Sequence, residues 1–169
     1  MNSNTNKIAV VGISCRFPGA RNIDEFWKIL IEGKDTVKHF TDEELEEFEY
    51  DFENLRKNPD YVRARGILDD IDKFDSNFFG YTPKEAEGMD PQYRVWLETV
   101  WDAFENAGCD PLNYKGKIGV FAGGSINTYL HNNILRDQKK RENFIRMRSA
   151  DSYQIMIGNE ISCLPTKTA

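Results

Sequence analysis

The sequence predicts an α/β fold. Two short apolar runs, residues 8–13 and 117–124, have the composition of buried strands in a sheet that is covered on both faces. Between them, residues 89–108 place large apolar side chains at helical spacing, with a start signal and a stop signal. The chain has 169 residues, of which 40% are hydrophobic and 30% charged, so it is long enough for one domain with a real core.

Composition argues against several classes of function. The net charge of −6 disfavours general nucleic-acid binding. No apolar run is long enough to span a bilayer and the polar residues 1–6 do not form a signal peptide, so we expect a cytoplasmic protein. The three cysteines are far apart and the two histidines lack a second ligand at helical spacing. We therefore predict neither a disulfide framework nor a metal site.

The first predicted strand, residues 8–13, leads into a loop over residues 14–19. A dinucleotide-binding fold is the main alternative at this point. It needs further glycines at the strand-to-helix turn, so that a pyrophosphate can rest on the helix N-terminus. Arg16, Phe17 and Pro18 occupy that space instead, which disfavours the alternative.

The first helix is predicted between Asn22 and Gly33. Asn22 and Glu25 have the spacing of a capping box, and Gly33 can take the left-handed conformation that ends a helix. The predicted core face consists of Ile23, Phe26, Trp27, Leu30 and Ile31.

Two acidic stretches follow. Residues 41–53 begin with a second capping box, Thr41 and Glu44, and form either a solvated surface helix or a contact surface for a basic partner. The carboxylates of residues 69–75 lack the glycine and the terminal glutamate of a calcium loop, so turn and capping roles are favoured there. Residues 82–85 then mark a short capped helix.

The helix at residues 89–108 is the largest predicted source of core. Asp90 can cap it, Pro91 suits its first position, and Gly108 can end it. Its broad apolar face is made by Tyr93, Trp96, Leu97, Val100, Trp101, Phe104 and Ala107. We predict a packing role for this helix, without chemistry.

The rest of the chain is more polar. The second predicted strand ends in Gly123 and Gly124, which allow another segment or a ligand to approach the backbone closely. The basic residues 136–148 form either a solvated loop or a patch for an acidic protein partner. A short helix is predicted over residues 152–157.

Taken in order, these motifs form a recognisable series. Its members are residues 8–20, Phe26-Trp27, Gly33, Phe74-Asp75, Phe78-Phe79-Gly80, Pro83, Glu85-Ala86, Met89-Asp90-Pro91-Gln92, Leu97-Glu98, Ala107-Gly108, Gly119-Val120-Phe121 and Gly123. The series resembles the N-terminal part of the β-ketoacyl synthase (ketosynthase) domains of modular polyketide synthases, over about residues 7–169. Tyr93 stands where that family usually has a second glutamine, and Lys167 where an arginine is more common.

The resemblance implies a thiolase-like fold, layered α-β-α-β-α in the full domain and dimeric, of which this chain forms mainly part of the N-terminal half. It also implies a decarboxylative Claisen condensation. In the family, a cysteine thiolate takes an acyl group from a phosphopantetheine thioester on an acyl carrier protein. Two histidines then help to decarboxylate the malonyl partner. Cysteine suits this role because its thiolate is a strong nucleophile.

The family's nucleophile motif, a cysteine followed by small hydroxyl residues, is absent from this sequence. Cys163 precedes Leu164-Pro165-Thr166 and aligns before that nucleophile, and neither His39 nor His131 aligns with the catalytic pair. We therefore expect a polar tail, residues 1–6, and a ketosynthase portion, residues 7–169, truncated before the nucleophile and without catalytic residues, bound cofactor or metal. We expect such a fragment to be inactive and to leave apolar segments uncovered. A non-catalytic module for dimerisation or carrier-protein docking is the alternative.

By resemblance, four residues contribute to substrate or subunit contacts. Ser125 and Ile126 correspond to positions that line the acyl pocket, and Ile155 and Met156 lie near the segment that reaches the pocket of the partner subunit. For each of them, plain core packing stays open as the alternative.

Overall fold

The computed structural model describes residues 7–48, 52–147 and 149–169. The chain divides into two compact units. The smaller unit is Cys15–Asp69, and the larger unit combines the N-terminal segment up to Ser14 with Asp70–Ala169.

The smaller unit contains short helices and a two-stranded ribbon. Its elements are α1 (Ile23–Glu32), β1 (Val37–His39), α2 (Asp42–Phe48), α3 (Phe52–Leu55) and β2 (Ala64–Gly66). β1 and β2 pair antiparallel, with Lys38 opposite Arg65. Both strands have only three residues and are largely exposed, so the sequence has no hydrophobic pattern that predicts them.

Most local capping signals in this unit are confirmed. The Asn22 side chain accepts a hydrogen bond from the Glu25 amide at 2.9 Å, whereas the Glu25 carboxylate accepts from the Arg21 amide instead of the Asn22 amide, so only half of this predicted box forms. Gly33 ends α1 with φ +60°. Thr41 and Glu44 form the reciprocal box at the start of α2, each side chain accepting from the other residue's amide, at 3.3 and 3.0 Å. These contacts span three residues, which is why sequence spacing alone predicts them.

The predicted core face of α1 is wrong for four of its five residues. Trp27 is 62% exposed and Ile31 is 70% exposed, and Ile23 and Leu30 are exposed as well. Phe26 does pack, with its ring centroid 4.3 Å from that of Phe17. Helical spacing predicts only that these side chains share one face, and burial of that face needs a second surface. Among the described residues, none covers Trp27 and Ile31.

Three carboxylates of the acidic stretch form ion pairs within this unit. Asp42 pairs with Arg63, Glu44 with Lys38 at 2.8 Å, and Glu53 with Arg56 at 3.6 Å. This arrangement favours a solvated surface over a docking site for a basic partner. Residues 49–51, part of the same predicted stretch, lie outside the described residues.

The larger unit is built around α5 (Pro91–Asn106). The other helices of the unit are α4 (Pro83–Glu87), α6 (Tyr129–Asn132), α7 (Gln138–Ile145), α8 (Ala150–Ile157) and α9 (Leu164–Thr168), with 3-10 turns at Ile134–Arg136 and Ile161–Cys163. The predicted capped helix at residues 82–85 and the predicted short helix at residues 152–157 are confirmed as α4 and α8.

Both ends of α5 are confirmed. The Asp90 carboxylate accepts from the Gln92 amide at 2.8 Å, Pro91 is the first helical residue, and Gly108 has φ +60°. The N-terminal half of the helix is the more deeply buried. A cluster of Met89, Tyr93, Leu97 and Leu164 forms the core of the unit, with Phe74, Phe79, Tyr81, Trp96 and Ala122 packed around it.

The two predicted strands are wrong as regular structure. Residues 8–13 and 117–124 form no strand, and most of their apolar side chains are exposed, with Ile8 at 95% and Phe121 at 93%, whereas Val120 and Ala122 are partly buried. A buried strand needs hydrogen-bonding neighbours and covered faces. None of the described segments of the chain supplies them.

The first of these segments is nevertheless attached to α5. The Ile13 amide donates to the Asn106 side-chain oxygen at 3.0 Å. Gly12 lies so close to the helix that an added Cβ would collide with the Ala103 carbonyl oxygen and lie 2.7 Å from the Ala107 Cβ. The glycine therefore permits close packing of this segment against the helix.

Within the part of the chain that the structure describes, no helix is long and apolar enough to cross a membrane.

Candidate functional site

The N-terminus of α5 packs against residues 158–160. We call this junction, including Gly88 and Met89, the α5 corner. The Asp90 amide donates to the Gly158 carbonyl at 3.0 Å, and the Tyr93 hydroxyl donates to the Glu160 carbonyl. These contacts join residues almost seventy positions apart in the chain. They fix the Met-Asp-Pro-Gln motif against the end of α8.

Asn159 is the polar centre of the α5 corner. Its side chain donates to the Gly88 and Ile155 carbonyls, each at 2.7 Å. Asn127 in turn donates to the Asn159 carbonyl and side-chain oxygen, at 2.8 and 2.9 Å. Because Asn159 is buried, these bonds satisfy a polar group that would otherwise cost stability. Neither asparagine was predicted from the sequence.

Ser125 is positioned by the last residue of the motif. Its amide and hydroxyl lie 2.9 and 3.1 Å from Gln92 Oε1, while the Gln92 side-chain amide donates to Asp90 at 3.2 Å. An added Cβ at Gly124 would collide with Ile161 and lie 3.2 Å from Gln92 Oε1. The predicted close approach at Gly124 is therefore made by another segment of the chain.

The other predicted site residues lie apart from Ser125. Ile126 is 87% exposed, Met156 is exposed, and Ile155 is partly buried. Only Ile155 of the four lines the cavity described below. The structure therefore does not bring the four residues together, and their roles in an acyl pocket stay predictions.

A cavity of about 570 Å³ lies between α4, α6, α7 and α8. Its apolar wall includes Ile134 and Ile155. Two ion pairs bracket it, Lys84 with Asp151 at 2.6 Å and Lys140 with Glu87 at 3.1 Å. All four charged side chains are largely exposed, so these pairs contribute little stability.

The three described cysteines are free thiols. Burial raises the pKa of the Cys15 thiol, which disfavours its thiolate form. Cys163 lies at the junction of a 3-10 turn and α9, next to the buried Leu164. Among the described residues, no group of three or more His, Cys, Asp or Glu side chains is arranged to hold a metal ion.

Tyr93 is the most strongly perturbed acid of the α5 corner. Desolvation by burial, together with nearby Cys163 and Glu160, raises the pKa of its phenol to about 12. The neutral phenol is therefore the form that the folded chain accommodates.

Comparison with known proteins now identifies the family. Residues 5–165 match the family described as "Beta-ketoacyl synthase, N-terminal domain". The chain belongs to this family. Within it, the relatives below are polyketide synthases, so the chain is the N-terminal portion of a ketosynthase domain of that type.

Two curated relatives illustrate the match. A phenolphthiocerol/phthiocerol polyketide synthase polypeptide of Mycobacterium tuberculosis is 36% identical over 162 residues, which is 96% of this chain and 11% of that protein. Polyketide synthase GfsB of Streptomyces halstedii is 41% identical over 128 residues, which is 73% of this chain and 2% of that protein. The chain thus spans only a small part of the relatives it matches.

Solved structures confirm the fold class, a partial thiolase-like α/β fold. Ketosynthase twelve of the bacillaene polyketide synthase of Bacillus amyloliquefaciens matches with a TM-score of 0.50 and 52% identity, over 57% of this chain and 17% of that one. The module 6 ketosynthase of the Bacillus subtilis bacillaene synthase matches with a TM-score of 0.53 and 25% identity, over 88% of this chain and 33% of that one.

The raised pKa of Tyr93 predicts the response of the chain to alkali. The folded state holds the phenol proton more tightly than the unfolded state, whose tyrosines titrate near pH 10. Stability from this group is therefore complete below about pH 10 and is lost as the pH rises through about 12. Tyr93→Phe should lower stability at pH 7 by about 1 kcal/mol and weaken this alkaline loss, as measured by urea unfolding between pH 7 and 11.5.

The matched control is Tyr153→Phe, because Tyr153 is 52% exposed. It should leave both the neutral stability and its pH dependence unchanged. An alkaline loss of equal size in the wild type and in Tyr93→Phe would contradict the role assigned to the buried phenol.

Proposed function

We propose that this chain is the scaffold portion of a ketosynthase that, as a whole domain, condenses acyl and malonyl units carried on the phosphopantetheine arms of acyl carrier protein domains. The family match over residues 5–165 is the observation that carries the proposal. Relatives named as polyketide synthases support the assignment to polyketide biosynthesis. A cytoplasmic location and a homodimer of the full domain are parts of the same proposal.

In the proposed reaction, a cysteine thiolate attacks the acyl thioester and expels the carrier thiol. The malonyl thioester then loses CO₂, and its enolate attacks the enzyme-bound acyl carbonyl and releases the cysteine thiolate. Backbone amides stabilise each oxyanion, and two histidines assist the decarboxylation. None of these groups is assigned to a residue of this chain.

The contribution of this chain is positional. The Met-Asp-Pro-Gln motif at the start of α5 holds Ser125 through the Gln92 side chain, at 2.9 and 3.1 Å. We propose that Ser125 and Ile126 form part of the acyl-pocket wall, and that Ile155 and Met156 face the partner subunit. The exposure of Ile126 and Met156 supports contacts beyond this chain.

The chain by itself should not catalyse condensation. Purified chain, incubated with an acyl thioester and examined by intact mass spectrometry, should show no stoichiometric acylation, because Cys163 lacks the family's nucleophile motif. The bacillaene ketosynthase twelve domain serves as the positive control. Stoichiometric acylation of Cys163, abolished by Cys163→Ala and followed by condensation with a malonyl thioester, would overturn the proposal.

A second candidate function is docking of a carrier protein without chemistry. Basic side chains at the end of a 3-10 turn and along α7 are exposed to solvent: Arg136, Lys139, Lys140, Arg141 and Arg146. Lys140 pairs with Glu87, and Arg148 lies outside the described residues. Carrier proteins in such systems are usually acidic, so this face has complementary charge.

Charge reversal tests the docking face. Lys139→Glu combined with Arg141→Glu should weaken binding to an acidic carrier protein about tenfold at low salt, and added salt should reduce the difference. Isothermal titration at about 20 and 200 mM salt measures both effects. The control, Lys115→Glu combined with Lys117→Glu, makes the same change in net charge at exposed residues outside α7. Equal weakening by the two variants would exclude a specific docking face.

A further inference from the structure

Arg94 is a buried cation without an ionic partner among the described residues. It lies in the first turns of α5 and is only 8% exposed. Its Nε is fully buried and has no hydrogen-bond partner, and no carboxylate in the described part of the chain pairs with the guanidinium. The guanidinium instead lies over the Tyr129 ring, whose centroid is 5.9 Å from Arg94 Cζ.

This arrangement is costly. An arginine does not lose its proton in a protein, so burial cannot be relieved by neutralisation. A buried charge without a partner destabilises the folded state, and a cation–π contact offsets only part of that cost. The carboxylate of Asp90, one turn earlier, accepts hydrogen bonds from the backbone amide and the side chain of Gln92. The described part of the chain thus leaves the Nε of the guanidinium without an acceptor.

The surface beside Arg94 is also incomplete. Tyr129 directly follows residues 117–128, which include the segment that the sequence predicts as a buried strand. In that segment Phe121 and Ile126 are almost fully exposed, and no described segment forms strand pairing with it, although Ala122 packs on the core. Tyr129 links the two features, because it contacts Arg94 and continues the chain from this segment. One covering element would resolve both.

We propose that Arg94 is an anchor for a carboxylate supplied by the part of the ketosynthase domain that lies outside this chain, and that the same element covers residues 117–128. This inference rests on the proposed function, which makes the chain a portion of a larger domain. The chain spans 17% of the bacillaene ketosynthase chain that it resembles, so ample covering sequence exists in such domains. A carboxylate is the favoured acceptor because its two oxygens match the guanidinium fork.

Arg94→Met gives opposite results in two settings. In the 169-residue chain it removes an uncompensated charge, so the thermal midpoint should rise by about 3 °C or more. In a chimera in which residues 1–169 replace the matching part of bacillaene ketosynthase twelve, the same substitution should lower the midpoint by a similar amount, because it leaves the carboxylate without its arginine partner. Arg146→Met, at an exposed arginine, is the control and should shift neither midpoint by more than about 1 °C.

Each other outcome overturns the proposal. A lower midpoint in the isolated chain would mean that Arg94 is already satisfied there. A higher midpoint in both settings would mean that no acceptor arrives. Acetate or phosphate at about 20 mM is added to each protein as a probe of free anions; if it stabilises the wild-type chain and the chimera but not the Arg94→Met chain, Arg94 binds a free anion instead. A wild-type midpoint that rises with protein concentration, and does not do so in Arg94→Met, would assign the acceptor to a second copy.

If the chimera does not fold, the remaining part of ketosynthase twelve is supplied as a separate polypeptide. Arg94→Met should then weaken its association with the chain at least tenfold, whereas Arg146→Met should not. Equal association would overturn the proposal. Neither arm measures acyl transfer, so failure of the proposed condensation activity can be distinguished from failure of this inference.

Discussion

The hydrogen bond from the Asp90 amide to the Gly158 carbonyl, 3.0 Å long, joins the start of α5 to the end of α8. The other contacts of the larger unit depend on this junction. It places the buried Tyr93 and Leu164 side chains in one cluster. It also brings Asn159 within reach of Gly88 and Asn127. Without this junction, the Met-Asp-Pro-Gln motif would still cap α5 and hold Ser125, but it would lose its contact with the end of α8.

The capping elements of the fold could be predicted because their information is local. Asn22, Thr41, Thr82 and Asp90 each bond to an amide two or three residues further along the chain, as their spacing indicates. The strands at residues 8–13 and 117–124 were predicted from composition, and composition records only that a segment is suited to burial. Whether it forms a strand depends on neighbouring strands, and none of the described residues provides them.

The α5 corner shows the same limit for site residues. Gln92 was identified as part of a motif, yet its contact with Ser125 joins residues 33 positions apart. Asn159 and Arg94 carried no signal in the sequence. Both residues matter because they are buried. The Asn159 side chain has hydrogen-bond partners, whereas Arg94 Nε has no acceptor among the described residues. The family resemblance supplied what neither spacing nor composition could, namely the class of domain to which the scaffold belongs.

The α5 corner is well packed, whereas residues 8–13 and 117–124 lack a covering surface in the described part of the chain. Amide hydrogen exchange on the 169-residue chain tests this claim most directly. We expect strong protection at the Asp90 amide and along α5, and exchange close to the unfolded rate at residues 8–11 and 118–122. Strong, cooperative protection of those two segments would show a formed sheet in the isolated chain and would contradict the claim.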